Sequence, residues 1–296
     1  MTFVDGPVSV HTPASSANLG PGFDAFGLAL TLGDTLTAEV TDGGLDVHVE
    51  GEGAADVPRD ESHLVLQAMH AAFDLMNVRP EGLRLACRNV VPHARGLGSS
   101  SAAIVGGIAL ARALVRDSAA LMDDLAAFQL ATDLEGHPDN VAAAQFGGFT
   151  IAWLDGYAAN VHRLDVTAEL TVLVPPEPVS TELARGLLPE TVPHRDAAAN
   201  AGRAALMVAA LTGAPGLLLP ATDDLLHQSF RAPAMPGSHK VLRALRVEGV
   251  PAVISGAGPT VLAFGRGVGD VAPADWTVHE VEVAARGVHR VDTPTR

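Results

Sequence analysis

Residues Val90–Gly107 read VVPHARGLGSSSAAIVGG. A β-branched pair and a proline run into Gly96-Leu97-Gly98. Three serines follow, and the rest is small or aliphatic. Glycines at 96 and 98 let the backbone take a positive φ and let a ligand approach with no Cβ in the way. The residues that follow predict a helix over about Ser100 to Val115. Ala102, Ala103, Gly106 and Gly107 let it pack closely against a sheet. The first-turn N–H groups of such a helix lack intrahelical partners and carry partial positive charge, which makes an anion site. Ser99, Ser100 and Ser101 add hydroxyls where phosphate oxygens or a Mg²⁺ would lie. A single Gly-Ser pair would be an N-cap on a buried helix. The whole run points to phosphate binding. It is not a Walker A loop, since no G-x-x-x-x-G-K-[ST] is present. It is not a Rossmann fingerprint either, because Ser101 stands where the third glycine belongs.

The chain has 296 residues, long for one core and comfortable for two modest domains. Hydrophobic residues make up 48% but aromatics only 4%, so the core must be built from Ala, Val and Leu. No apolar run reaches the roughly 18 residues of a membrane span. The N-terminus, MTFVDGPVSV, has no basic segment and reads as a strand, so no signal peptide is expected. Cys87 is the only cysteine, which excludes an internal disulfide and predicts a buried strand residue. A soluble cytoplasmic protein is the expectation, with no membrane partner. The net charge of −15 argues against nucleic acid, whose backbone needs a basic field. A chain this acidic must bind a polyanion locally, with amides, a few arginines and a metal ion. Lys240 is its only lysine.

The first half alternates strands and helices. Period-2 apolar positions flank Asp42-Gly43-Gly44 and predict a hairpin. SHLVLQAMHAAFDLM has helical spacing, with Ser62 as the N-cap. GLRLACRNVVP reads as a strand. DSAALMDDLAAFQLATDLEG reads as one helix closed by Gly136, and DNVAAAQF as a short helix with Pro138 in its first turn. The second half starts anew. GGFTIAWL and AELTVLVPP read as strands. VSTELARGLLP, RDAAANAGRAALMVAALTG, DDLLHQSFRAP and HKVLRALRVEG read as helices. PAVISGAGPTVLAFG reads as strand, glycine turn and strand, and the last thirty-odd residues as a final helix or strand pair. A boundary near residue 165 gives domains 1–165 and 166–296.

Pro92 through Ser100 meets P-x-x-x-G-L-G-S-S, which resembles the ATP-binding signature of the GHMP kinases. Among these, the homoserine kinases are the group that SSANLGPGFDAFGLAL, EGHPDNVAAAQFGG, STELARGLLP, LLHQSFR and SGAGPTVLAF resemble, in the same order and over almost the whole chain. The resemblance implies an α+β, two-domain GHMP fold. The N-terminal domain would be ribosomal-protein-S5-domain-2-like and the C-terminal one ferredoxin-like, with the active site between them. It implies ATP and Mg²⁺ as cofactors and L-homoserine as the small-molecule substrate. The reaction would be phosphorylation of the side-chain hydroxyl in threonine biosynthesis. The family is often dimeric, so a homodimer is an expectation.

The resemblance also distributes roles. ATP would meet Pro92, Arg95, Gly96, Leu97, Gly98, Ser99, Ser100, Ser101 and Ala102, with His63 beyond them. Mg²⁺ wants hard oxygen ligands. Glu135, with Ser99 or Ser100, is the candidate, and Asp133 competes. A homoserine carboxylate suits the planar fork of arginine, and Arg185 and Arg231 stand at the family's two positions. Asn18 and Asp24 would take the ammonium. His137, Asn140 and Gly256 complete the substrate side, and Thr181 could bond the hydroxyl. Taken alone, these are ordinary turn, helix-end and surface residues. Where other GHMP kinases carry a catalytic aspartate, the homoserine kinases carry Asn140, so no dedicated base is expected and Asp139 is expected to be structural. The SGAGPT loop is expected to pack beside the phosphate loop.

Three features depart from the family pattern: His63 in place of an Asn, a third serine in the loop, and the short E-G-H-P-D-N spacing. The rivals are a mevalonate-type or archaeal shikimate kinase, which would not need two arginines, a non-catalytic metabolite sensor on the same fold, or a structural protein. A sensor would be expected to lose Glu135 or the loop serines.

Overall fold

The computed structural model describes residues 2–292. The chain opens with β1 (Val8–Ala17), β2 (Phe26–Thr41) and β3 (Gly44–Gly51), then α1 (Leu64–Leu75), β4 (Gly82–Asn89) and α2 (Ser99–Leu114). It continues through α3 (Ser118–Leu121), α4 (Asp124–Glu135), α5 (Asp139–Phe146), β5 (Phe149–Asp155) and β6 (Ala158–Leu164). After these come β7 (Glu169–Val174), α6 (Thr181–Gly186), α7 (His194–Thr212), α8 (Leu218–Ala221), α9 (Gln228–Arg231) and α10 (Pro236–Val247). The last elements are β8 (Ala252–Ile254), β9 (Val261–Phe264), β10 (Thr277–Glu282) and β11 (His289–Val291).

Seven strands form the first sheet, in the order β11-β1-β2-β4-β3, with β5 also pairing β2 and β6 pairing β5. The remaining four form an antiparallel sheet in the order β10-β7-β9-β8. Within that unit the last strand lies beside the first, the third beside the first, and the second at the far edge, as in a ferredoxin-like layer. The architecture is α+β.

The hairpin expected at Asp42-Gly43-Gly44 is not there. β4 lies between β2 and β3, antiparallel to the one and parallel to the other. Period-2 alternation sets which face is buried but not which strand is the neighbour. The Ser62 cap is corrected too. The N-cap of α1 is His63, whose Nδ1 accepts from Val65 N at 3.3 Å, while Ser62 bonds Asp60. The segment read as one helix before Gly136 is two, because Met122 is extended and Asp123 caps α4 afresh. In DDLLHQSFRAP only Gln228–Arg231 is α-helical, since Asp224 binds the amides of Leu226, His227 and Gln228 in a turn. The β6 strand had no counterpart in the sequence reading. The chain's end returns to the first sheet, where β11 pairs β1.

Alternation in the second sheet explains how the two sheets hold together. Leu170, Val172, Leu262 and Phe264 face a buried cluster shared with Ala14, Leu28 and Leu30 of the first sheet. Leu173, Ile254, Val261 and Ala263 face the opposite cluster, against α10. A third cluster packs α1, α2 and α4 on the first sheet. Cys87 lies there, 3% exposed, and burial pushes its thiol up to about 12, so it is an inert packing residue as expected.

Candidate active site

The phosphate loop is held by its carbonyls. Those of Ala94, Arg95, Gly96 and Leu97 accept from Val179 N, Thr260 N, Ser255 Oγ and Ser15 N, and that of Gly98 accepts from Ala102 N. Among the described residues, no N–H from Gly96 to Ser101 donates to a protein acceptor. The loop therefore spends its acceptors on the protein and leaves a run of donors for a ligand, the arrangement of an anion-binding nest. Gly98 sits at φ 67° as the residue before α2, and a Cβ there would lie 2.0 Å from Ser15 Oγ. A Cβ on Gly96 would lie 2.2 Å from the Ser255 carbonyl oxygen. The SGAGPT loop thus packs directly on the phosphate loop, as the sequence led us to expect.

The cleft in front of this loop is a cavity of about 280 Å³. Gly96, Gly98, Ser99, Ser100, Glu135, His137 and Asn140 line it, together with Asn18, Asp24, Thr181, Arg185, Arg231 and Gly256. Ser99 and Ser100 also line a neighbouring cavity of about 270 Å³, walled by Val57, Pro58, Leu64 and Val65, with His63 and His93 as polar members. Burial and the nearby His93 lower the pKa of His63, which favours its neutral form.

Glu135 ends α4 and reaches the first turn of α2. Its Oε1 accepts from Ser100 Oγ at 2.6 Å and Ser101 Oγ at 2.8 Å. Asp133 points elsewhere, is exposed, and bonds Gln129. The carboxylate and hydroxyl of Glu135 and Ser100 form a hard-oxygen pair. Among the described residues no cluster of three or more His, Cys, Asp or Glu could hold a metal by itself. One carboxylate with hydroxyls suits Mg²⁺, which normally shares its shell with water and phosphate oxygens.

In the same cleft, Arg185 grips Asp24 with two nitrogens, at 2.8 and 3.1 Å. Arg231 is 2% exposed, unusual for an arginine. Its Nε bonds the Ala184 carbonyl, and its Nη1 contacts Gly256 O and His227 Nδ1. Burial and Arg185 pull its pKa down. His227, itself buried, donates from Nε2 to Gly20 O, which leaves Nδ1 as the acceptor. Phe23 carries both guanidinium groups, with Arg231 at 5.2 Å and Arg185 at 5.8 Å from its ring centre, and stacks on His227. Asn18 spans from Gly256 O to Asp24 N and so shapes the Asp24 turn. Asp139 is buried and accepts from His137 Nδ1 at 2.8 Å and from Asn140 N, a bond that raises the pKa of His137. Asn140 Oδ1 accepts from Ser15 Oγ at 2.9 Å.

Five residues expected at ATP line neither cavity: Pro92, Arg95, Leu97, Ser101 and Ala102. The Arg95 guanidinium points away, onto the carbonyls of His93, Pro175 and Pro176. Leu97 belongs to the inter-sheet core, and Ser101 and Ala102 are buried under the first turn of α2. The sequence reading missed Phe23, His227 and Ser15. The i,i+4 spacing of His227 and Arg231 was the available signal for one of them.

A model of the GHMP kinases N-terminal domain matches residues 63–148. A homoserine kinase of Streptomyces avermitilis is 53% identical over 291 residues, covering 95% of this chain and 94% of that protein. One of Streptomyces coelicolor is 53% identical over 287 residues, covering 95% and 93%. The crystal structure of a homoserine kinase from Cytophaga hutchinsonii shares the fold, with a TM-score of 0.82, 24% identity and coverage of 96% and 97%. Fold and phosphate loop together define a GHMP kinase. Identity above one half along nearly the whole length goes further: the chain belongs to the homoserine kinase family.

Proposed function

We propose that this enzyme transfers the γ-phosphoryl group of Mg·ATP to the side-chain hydroxyl of L-homoserine, giving O-phospho-L-homoserine for threonine biosynthesis. The observation that carries the reading is the phosphate loop, with every carbonyl from Ala94 to Gly98 occupied and the amides from Gly96 to Ser101 left without a protein acceptor. Its first turn and the Arg185–Asp24 pair line one cleft. The names of the similar Streptomyces proteins supply the substrate.

In this reading the loop amides and the Ser99 and Ser100 hydroxyls hold the phosphates, and the cavity beside His63 takes the nucleoside. Glu135 and Ser100 would hold Mg²⁺, whose charge offsets that developing on the transferring group. Arg185 and Arg231 receive the substrate carboxylate and Asp24 its ammonium. The zwitterion then exchanges one existing ion pair for two new ones. Thr181 orients the hydroxyl. Each carboxylate in the cleft already has a partner: Glu135 two serines, Asp24 an arginine, Asp139 a histidine and an amide. The hydroxyl proton accordingly passes to the phosphoryl oxygens, and the amides stabilise the transition state. The division near residue 165 belongs to the same proposal, with the nucleotide side before it and the two substrate arginines after it.

³¹P NMR of the product formed from Mg·ATP and L-homoserine tests this. A new phosphate monoester on the homoserine oxygen supports it. ATP hydrolysis to inorganic phosphate alone would refute it.

A further inference from the structure

The connection from β7 to α6, residues 175–180, reads PPEPVS. Pro175, Pro176 and Pro178 have no N–H, so this segment has few donors with which to fix itself to the rest of the chain. It nevertheless has to hold α6, because Thr181 and Arg185 of that helix line the cleft.

Two neighbouring residues of the phosphate loop fasten it. The Ala94 carbonyl accepts from Val179 N at 3.2 Å. The Arg95 guanidinium spreads over three main-chain carbonyls. Its Nε donates to Pro175 O at 3.0 Å, its Nη1 to His93 O at 2.9 Å, and its Nη2 to Pro176 O. Two of these acceptors belong to the connection and one to the loop itself. A planar fork suits this task, since its donors point in fixed directions. The carbonyl of Arg95 in turn accepts from Thr260 N of the SGAGPT loop at 3.3 Å. The next residue, Gly96, begins the run of amides without protein acceptors and lines the cleft. Arg95 thus stands between the amides offered to a nucleotide and the segment that leads into the substrate helix. Farther along, α6 is held by Arg231, whose Nε donates to Ala184 O at 3.3 Å.

We propose that Arg95 is a positioning residue for phosphoryl transfer. It fixes the entry to α6 relative to the phosphate loop, and so sets Thr181 and Arg185 against the γ-phosphoryl group. Arg95 lines neither cavity, so it acts through the carbonyls it binds rather than on the nucleotide. This role rests on the kinase reading. Transfer needs both reactants aligned, and a misplacement of about 1 Å caused far from the chemistry can cost about 100-fold.

The test compares Arg95→Met with the wild type in three measurements on the full chain. The kcat/KM for homoserine should fall by about 10- to 100-fold, through a higher KM and a lower kcat together. Calorimetric binding of the β,γ-imido analogue of Mg·ATP, without homoserine, should stay within about twofold, because no phosphate contact is lost. Hydrogen exchange followed by mass spectrometry should quicken in residues 179–188 and stay unchanged in α1. Arg95→Lys keeps a cation near the same carbonyls, should lie between the two, and serves if Arg95→Met does not fold. Weaker binding of the imido analogue with unchanged homoserine kinetics would put the guanidinium on the phosphates and overturn the proposal. So would a fall in kcat/KM with no change of exchange in residues 179–188. A wild type that does not phosphorylate homoserine would remove the kinase reading and this role with it. A working wild type beside an unaffected Arg95→Met would remove this role alone.

Discussion

Ser100 Oγ donates to Glu135 Oε1 at 2.6 Å, joining the first turn of α2 to the last turn of α4. Thirty-five residues separate the two in sequence. The contact sets a carboxylate beside the free amides of the phosphate loop, the place that the proposed function gives to the Mg²⁺ and the phosphates. Glu135→Gln should lower kcat by about 100-fold, in the range of losing one strong electrostatic contact in a transition state. It should also raise the Mg²⁺ concentration needed for half-maximal rate. Asp133→Asn should change neither. Steady-state kinetics over a Mg²⁺ series checks this, and a full effect from Asp133 with none from Glu135 would reverse the assignment.

Arg231 is buried against Phe23, Ala184 and Gly256. Arg231→Ala should raise the KM for homoserine by roughly 10- to 100-fold, with a smaller effect on the KM for ATP, since a charge-assisted hydrogen bond is worth about 1.5–3 kcal/mol. Stability should fall as well, because the Ala184 carbonyl loses its Arg231 donor and the Gly256 carbonyl is left with Asn18 alone. Arg231→Lys should not restore the KM, as an ammonium lacks the flat fork that lies on Phe23.

Gly98 and Gly156 both hold a positive φ, at 67° and 61°. Only Gly98 is crowded, with a Cβ meeting Ser15 Oγ at 2.0 Å and Asn140 Oδ1 at 3.0 Å, while Gly156 has open space. Gly156→Ala should cost about 1 kcal/mol of backbone strain. Gly98→Ala should cost more, by about 1–3 kcal/mol, and should also weaken ATP. Thermal denaturation of the two variants, with and without nucleotide, separates strain from the clash.

The bond from Asp139 raises the pKa of His137 above the ordinary value of about 6.5. Protonated His137 then binds more tightly in the folded chain than in the unfolded one. The stability it contributes is complete below about pH 6.5 and is lost as pH rises through the raised value. The unfolding free energy of the wild type minus that of His137→Asn should therefore shrink as pH increases. The comparison has to be a difference, because burial lowers the pKa of His11, His63, His227, His239 and His279, which act in the opposite sense. A margin that grew with pH would contradict the assignment.

Much of the cleft was legible because its residues are constrained by backbone geometry or by a motif. Gly96 and Gly98 announced positive φ, and the loop serines opened a helix as their spacing required. Glu135, His137 and Asn140 followed from one short segment. What stayed hidden depended on long-range placement. Alternation around Asp42-Gly43-Gly44 could not show that β4 would insert between β2 and β3. An arginine near a helix end, such as Arg231, gives no sign that the fold will bury it. Arg95 lies within the signature, yet its side chain turns to the carbonyls of residues 175 and 176, which only the tertiary structure brings near. The mixed polarity of AANVHRL concealed β6, an edge strand with no fully buried residue.

The central claim is that the free amides of the phosphate loop and the Arg185–Asp24 side of the cleft serve one reaction on one amino-acid alcohol. A coupled ADP-release assay on the purified chain with Mg·ATP, offering L-homoserine beside mevalonate, shikimate and galactose, tests it most directly. Turnover with homoserine alone is the predicted result. Turnover with another of these alcohols, or with none while nucleotide still binds, would contradict it.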